Sequence, residues 1–384
     1  MVFISSQRVW IHEQFIPATL KLENGKITEI HKGILKNSQS YGHARIIPGL
    51  IDVHTHGYAG GDASDGDPET IRIWQKYLPQ EGVTSFLPGT VTRSEPRILQ
   101  ALQAIRSVME EKNENGAHIP GIFLQGPYTS HEYPGAYDKY LIQKPDIAQF
   151  DRFMEASGGH IIRVGIAVEK DDQHQLLKHC AASGLEVAVG FSGVSYEEMM
   201  QAVEDGATSV VHCFNSMNPL HHRKPGLPGA ALSCNDLYSE VIADGIHVHP
   251  SVINIIGKCK GKDHLVVITD SSRYKGLKPG YYESVDRKVT IGEDGVGRLP
   301  DGRLAGSCIT MIQSVRNLQT LGRLDEVCAI NAATINPARM LKLDDHLGLI
   351  ETGYQADLTI YNDDYQILQT FVSGIPMLKQ EETR

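Results

Sequence analysis

Eight short runs rich in Val and Ile recur through the middle of this chain, and they constrain its fold more than any other feature. They occupy residues 46–53, 83–87, 119–124, 161–168, 187–190, 209–213, 240–243 and 265–269. Each is nearly continuous rather than alternating, the pattern of a parallel strand buried on both faces. Helix-like stretches separate most of them. Asp67-Pro68-Glu69 sets an acid at an N-cap and Pro at the first helical position. Ser94 is placed to cap a helix running to Lys112, and Gly206 follows a helix that begins near Ser195. Eight βα units closed into a TIM-type (β/α)8 barrel, an α/β fold, is the economical reading. An open doubly wound sheet is the alternative, but no Gly-rich phosphate turn follows the first run.

The ends of the chain read differently. Glu23-Asn24-Gly25-Lys26 places an Asn-Gly turn between apolar runs, a hairpin signal. Ala356–Tyr361 alternates, and the stretch from Phe371 to Pro376 ends in a second turn. Strands at both termini can pair into one small unit, because chain ends often lie close together. The expected division is a small β-sandwich domain from residues 1–47 and 348–384 around a barrel spanning 48–347. A chain of 384 residues has room for both. The Gly-rich polar stretch from Lys275 to Arg303 reads as a β-hairpin excursion after the eighth strand, near the barrel mouth.

Charge and cysteine usage narrow the partners. A formal net charge of −10 argues against a nucleic-acid or anionic-membrane surface, while leaving room for a local phosphate site. No run reaches the ~18 apolar residues of a membrane span, and Met1–Trp10 lacks the pattern of a signal peptide. Six scattered cysteines without a CxxC pair fit reduced core thiols in the cytoplasm.

Chemistry concentrates at the ends of the runs. The first closes on Pro48-Gly49-Leu50-Ile51-Asp52-Val53-His54-Thr55-His56-Gly57. Residues i and i+2 of a strand share a face, so His54 and His56 project together at the C-terminal mouth where barrel active sites lie. Two neutral imidazoles suit a divalent metal such as Zn or Fe. With 17 His in 384 residues about one HxH arises by chance, so its position at a strand end is what informs. The bland reading is a pair of histidines capping a core strand. Asp270 ends the eighth run and faces the same mouth, as metal ligand, general base or both, or else as a loop cap. His212, at the end of the sixth run, is a further ligand candidate or a satisfied core histidine. His221-His222-Arg223-Lys224 suits a phosphate, or is a solvated loop. His247 ends the seventh run and can hydrogen-bond a substrate oxygen.

Taken together, PGLIDVHTHG, FLQGPYTS…PGAYD, HCFNSMNPLHHRKPGLPGAAL, IADGIHVHP, VITD, GRLPDGRLAGSCITM and the closing NPARMLKLDDHLGLIETGYQADLTIYNDD resemble the N-acetylglucosamine-6-phosphate deacetylases of the amidohydrolase superfamily. The resemblance spans nearly the whole chain in order. It implies hydrolysis of the N-acetyl amide of N-acetylglucosamine-6-phosphate to glucosamine-6-phosphate and acetate, in amino-sugar catabolism. Asp270 would be the catalytic acid/base, and His54, His56, His212, Gln125 and Asp270 the metal positions. Asn215, Ser216 and Arg223 would hold the phosphate. His247, Ala136, Leu304, Ala305 and Gly306 would line the sugar. A divalent metal, one per chain, and a homodimer completing the phosphate site across its interface are implied as well.

Three positions depart from the family pattern. Gln125 stands where the family has a metal-binding Glu. Phe191 stands where it has a metal-binding His, and Tyr137 where it usually has His. A Gln oxygen is a weak ligand and Phe is none. Three readings follow: an active deacetylase with one metal at His54, His56 and Asp270; a paralogue for a related N-acetylhexosamine phosphate or other acylated sugar; or a sugar-phosphate binder without catalysis. Retention of HxH with Asp270 favours an enzyme. Cyclic-amide hydrolases share the barrel, but many use a carboxylated Lys on the fourth strand, and here only Lys170 lies near it.

Overall fold

The eight runs become eight parallel strands of one sheet in chain order. The computed structural model describes residues 1–111, 116–283 and 288–378. The barrel strands are Leu50–Thr55, Val83–Thr90, Ile122–Leu124, Ile161–Ile166, Glu186–Val189, Ser209–Val210, Tyr238–Ile242 and Leu265–Ile268. The ring closes between the last and the first through a parallel bridge from Thr55 to Ser271. There the Asp270 N–H donates to the His54 carbonyl at 2.9 Å, and the His56 N–H to that of Ser271 at 2.8 Å. The seam of the barrel therefore runs through the residues that the sequence singles out for chemistry.

Two strand boundaries move from where the sequence put them. The run at 46–53 serves two sheets. Arg45–Pro48 belongs to the terminal sheet, and the barrel strand begins at Leu50. Gly49 makes the change possible, since a Cβ there would lie 2.1 Å from Thr84 Oγ1. The third strand begins at Ile122 rather than 119, because Pro120 has no N–H to give a ladder.

The small β-unit expected from the two termini is present, with its eight strands in one hydrogen-bonded sheet. Arg45–Pro48 stitches it together, pairing parallel to Val2–Ile11 and antiparallel to Leu358–Tyr361. The Asn24-Gly25 turn joins Gln14–Glu23 to Lys26–Lys32 with both residues at positive φ, 52° and 75°, as a tight hairpin demands.

Helix starts follow their caps in two of three places. Asp67 accepts from the Glu69 N–H to open Pro68–Tyr77, and Ser195 from the Glu198 N–H to open Tyr196–Glu204. Ser94 precedes Glu95–Met109 but makes no capping bond with its side chain, and the expected end at Lys112 lies outside the described residues. A buried cluster drawn from strands around the ring, with Ile51, Val53, Leu87, Phe123 and Ile268 among its members, also takes in Met340 and Leu347. Each such side chain contributes roughly 1.5–3 kcal/mol relative to exposure, which holds the ring rigid under the site.

The excursion after the eighth strand is a three-stranded antiparallel sheet of Gly280–Glu283, Lys288–Ile291 and Gly297–Arg298. Its own small core of Tyr274, Val289, Ile291 and Ala305 presents the segment from Arg303 to Gly306 to the barrel mouth. Among the described residues no helix is long and apolar enough to cross a membrane.

Candidate active site

His54 and His56 leave the first barrel strand with their Nε2 atoms 3.0 Å apart. Asp270, directly after the eighth strand, brings Oδ1 to 3.3 Å from each of them. The far side of each ring is engaged. His54 Nδ1 lies 2.9 Å from Glu240 Oε2, and His56 Nδ1 lies 2.7 Å from the Gly89 carbonyl. An acceptor on each Nδ1 favours a proton there, and in the neutral ring this leaves Nε2 as the lone pair a metal would take. Two lone pairs and a carboxylate then face one point. Bare, that arrangement is repulsive; around a divalent cation it is a ligand set. For a metal with bonds near 2.0–2.1 Å, tetrahedral ligand atoms lie about 3.3–3.4 Å apart, close to the separations seen. Among the described residues these three are the group of His, Cys, Asp and Glu side chains that could hold a metal ion.

Behind this group lies a buried ionic layer that the strand pattern concealed. Glu240 sits within the seventh strand with no exposure, accepts the His212 N–H at 3.1 Å, and is ion-paired to Arg163 of the fourth. Arg163 also meets Glu186 at 2.6 Å and lies 4.3 Å over the Phe123 ring. Burial pushes the Glu240 carboxyl up, but Arg163 and His54 outweigh it and hold it at about 2. The same contest at Asp270 is won by His54 and His56, which keep it well below the usual carboxylate range. A carboxylate fixing the outer nitrogen of a ligand histidine sets its tautomer and raises its basicity. Glu240 and Arg163 escaped sequence reading; charged residues inside Val/Ile-rich strands were the signal available.

The group opens into a cavity of about 320 Å³. The expected substrate residues Ala136, Asn215, Ser216, His247, Leu304, Ala305 and Gly306 all line it, as do His56, Gln125, His212 and Asp270. Arg223 does not. It is exposed in the turn His221–Lys224, outside the lining of its own chain's cavity. Arg303 does line the cavity, with Nη1 donating to the Gly135 carbonyl at 2.8 Å, a residue the sequence did not single out. Asp244 Oδ2 lies 2.6 Å from His247 Nδ1, which leaves Nε2 as the ring nitrogen available to a ligand. The loop from Gly135 to Tyr137 crosses close over the opposite wall. A Cβ on Gly135 would fall 2.6 Å from Ser216 Oγ, and its φ of 56° also favours glycine.

Backbone strain gathers at the same place. Phe191, His212, Ser216 and Asp270 all line the cavity and all hold positive φ, between 30° and 51°. Non-glycine residues pay of order 1–3 kcal/mol each for such conformations, and these tend to persist at functional sites.

A sequence model described as the Amidohydrolase family matches residues 45–376. The chain belongs to the amidohydrolase family. Members of this family are generally metal-dependent, and the group at His54, His56 and Asp270 could take such an ion. Among curated relatives, the N-acetylglucosamine-6-phosphate deacetylase of Bacillus subtilis is 35% identical over 341 residues, covering 88% of this chain and 86% of the relative. The N-acetylgalactosamine-6-phosphate deacetylase of Escherichia coli O157:H7 is 33% identical over 86% of each chain. Among solved structures, a mutant N-acetyl-D-glucosamine-6-phosphate deacetylase from Mycobacterium smegmatis, in complex with N-acetyl-D-glucosamine-6-phosphate, superposes with a TM-score of 0.92. It is 27% identical over 98% of this chain and 99% of that one.

Against that membership, the three departures become a physical unit. The Tyr137 ring stacks on Phe191 at 4.7 Å and 25°, and Phe191 meets the His212 ring edge-on, also at 4.7 Å. The Tyr137 hydroxyl donates to Gln125 Oε1, and Gln125 Nε2 lies 2.8 Å from His54 Nε2. The amide thus turns its nitrogen, not its oxygen, to the proposed metal position, which speaks against Gln125 as a ligand in this arrangement. His212 stands beside the group, its ring centroid 5.6 Å from that of His54. Burial pushes its imidazole down to about 4, so it is neutral at physiological pH, and its Nδ1 has no hydrogen-bond partner.

Proposed function

We propose that this amidohydrolase cleaves the N-acetyl amide of N-acetylglucosamine-6-phosphate, giving glucosamine-6-phosphate and acetate. The observation that carries the reading is one cavity with two kinds of lining. His56 and Asp270, which converge with His54, line it together with the expected sugar and phosphate residues Asn215, Ser216 and His247. The names of the relatives in B. subtilis and M. smegmatis support the same substrate.

His54, His56 and Asp270 hold one divalent metal per chain, zinc or iron, a choice supported by two imidazoles with one carboxylate. When bound, such a metal supplies Lewis acidity to the acyl carbonyl and acidifies water at neutral pH. Asp270 takes the proton from the attacking water, holds it while the C–O bond forms, and delivers it to the amine as the C–N bond breaks. His247, steadied by Asp244, accepts a sugar hydroxyl on Nε2. Asn215 and Ser216 face the phosphate, and the turn from Leu304 to Gly306 walls the ring.

The chain acts as a homodimer in which the partner's Arg223 reaches the phosphate. The exposed basic turn at 221–224, outside its own cavity, supports this. Six unpaired cysteines, Cys259 among them exposed, support a reducing cytoplasmic setting.

Acetate release by the metal-loaded protein from N-acetylglucosamine-6-phosphate, beside its galacto epimer, tests the reading. Turnover of the gluco substrate is expected, with loss in Asp270→Asn. Faster turnover of the galacto epimer would shift the substrate, and no acetate from either would overturn the proposal.

A further inference from the structure

The Gln125 side chain is part of a directed chain of hydrogen bonds. Tyr137 donates its hydroxyl to Gln125 Oε1; the Gln125 amide lies 2.8 Å from His54 Nε2; His54 Nδ1 lies 2.9 Å from the Glu240 carboxylate. Each link fixes the next. With its Nδ1 proton on the carboxylate, a neutral His54 offers the Nε2 lone pair, and the amide nitrogen beside it is the donor. The phenol hydroxyl on the other side holds the amide in the sense that supplies that donor.

This arrangement carries an internal competition. The lone pair that the amide N–H uses on His54 is the one a metal ligand must give up. Once a cation takes it, the Gln125 N–H loses its acceptor. Gln125 is 2% exposed, and an unsatisfied buried donor costs about 1–3 kcal/mol. Gln125 lines the cavity together with Asp270, so the freed N–H faces the space where an acyl group must sit for attack.

We propose that the Gln125 amide is an oxyanion donor of this site, a catalytic residue that hydrogen-bonds the acyl oxygen as it gains charge, with Tyr137 as the residue that positions it. The inference rests on the amide-hydrolysis reading above. The acyl oxygen is a weak acceptor in the substrate and a strong one in the tetrahedral state, so this donor binds the latter selectively. Phe191 stacks on Tyr137 and so steadies the ring whose hydroxyl holds the amide oxygen.

The test compares two ligands on the zinc-loaded protein by calorimetry, with zinc content measured alongside. One is glucosamine-6-phosphate. The other is its N-methylphosphonamidate, whose tetrahedral anion replaces the acetyl group. In Gln125→Met, which keeps volume and removes the donor, the phosphonamidate should bind about 100- to 1,000-fold more weakly. Glucosamine-6-phosphate should bind as it does to the wild type, with zinc content unchanged. Tyr137→Phe should show a smaller loss confined to the same ligand and to kcat, with KM unmoved.

Equal weakening of both ligands, an undiminished phosphonamidate affinity, or loss of zinc in Gln125→Met would each overturn the inference; the last would make Gln125 a ligand. Failure of the wild type to bind either compound would instead sink the substrate reading, and this inference with it.

Discussion

Replacing Arg163 with Met removes the one cation that joins Glu186 and Glu240 beneath the proposed metal group. Arg163 is fully buried, meets Glu186 at 2.6 Å and pairs with Glu240. Met fills similar space without charge, and it also gives up the bonds from Arg163 to the Val53 carbonyl and the Ser209 hydroxyl. It leaves two carboxylates with almost no solvent, and breaking a buried pair from one side costs about 3–5 kcal/mol. Glu186 keeps the Thr208 hydroxyl at 2.8 Å, which places the expectation at the lower end, about 3 kcal/mol. Glu240→Gln alone leaves Arg163 paired with Glu186 and should cost less. The double variant should be more stable than the sum of the two losses by about 1–3 kcal/mol, because Glu240→Gln removes one of the carboxylates that Arg163→Met would leave unpaired.

Urea unfolding of the metal-free chain measures all three. The pH dependence carries a second signature. Glu240 has a folded value of about 2, below its ordinary range near 4.3. Its contribution to stability is therefore complete above that ordinary value and is lost as pH falls toward 2. Without Arg163 the folded value rises toward the ordinary one, so the acid-induced loss from this group should shrink. Additive single losses, or an Arg163→Met cost below about 1 kcal/mol, would refute the reasoning, since buried pairs broken from one side do not behave so.

Other expectations follow from the cavity. Asp270→Asn should lower kcat by about 100- to 10,000-fold with the far-ultraviolet dichroism unchanged, and retained turnover would remove Asp270 from proton transfer. Arg223→Ala should raise KM for a phosphorylated substrate by about tenfold or more, the scale of a lost charge-assisted bond, and leave an unphosphorylated analogue unaffected. Mixing Arg223→Ala chains with Asp270→Asn chains should restore part of the activity, because one site of the mixed dimer then has both residues; no recovery would place Arg223 outside the partner's site.

Much of the architecture was legible because parallel barrel strands are buried on both faces and leave continuous apolar runs. The misplaced start at residue 46 arose because Arg45–Pro48 and Leu50–Thr55 are equally apolar, and only Pro48-Gly49 marks the change of sheet. His54, His56 and Asp270 could be read from strand period and strand end. Glu240 and Arg163 could not, since strand pattern says nothing about which charged residues meet across a barrel. Tyr137 and Phe191 registered separately, as departures from a family pattern, and only the fold shows that their rings stack and that Gln125 is held by one of them. Arg223 was chosen for its chemistry and turned out exposed, a matter of loop direction that composition does not encode.

The central claim is a hydrolytic site built on one metal at His54, His56 and Asp270. Titrating zinc into metal-free protein while following acetate release from N-acetylglucosamine-6-phosphate tests it most directly. The account predicts that activity rises linearly and breaks at one equivalent per chain, and that His54→Ala abolishes the rise. A break at two equivalents, or full acetate release by the metal-free protein, would contradict it.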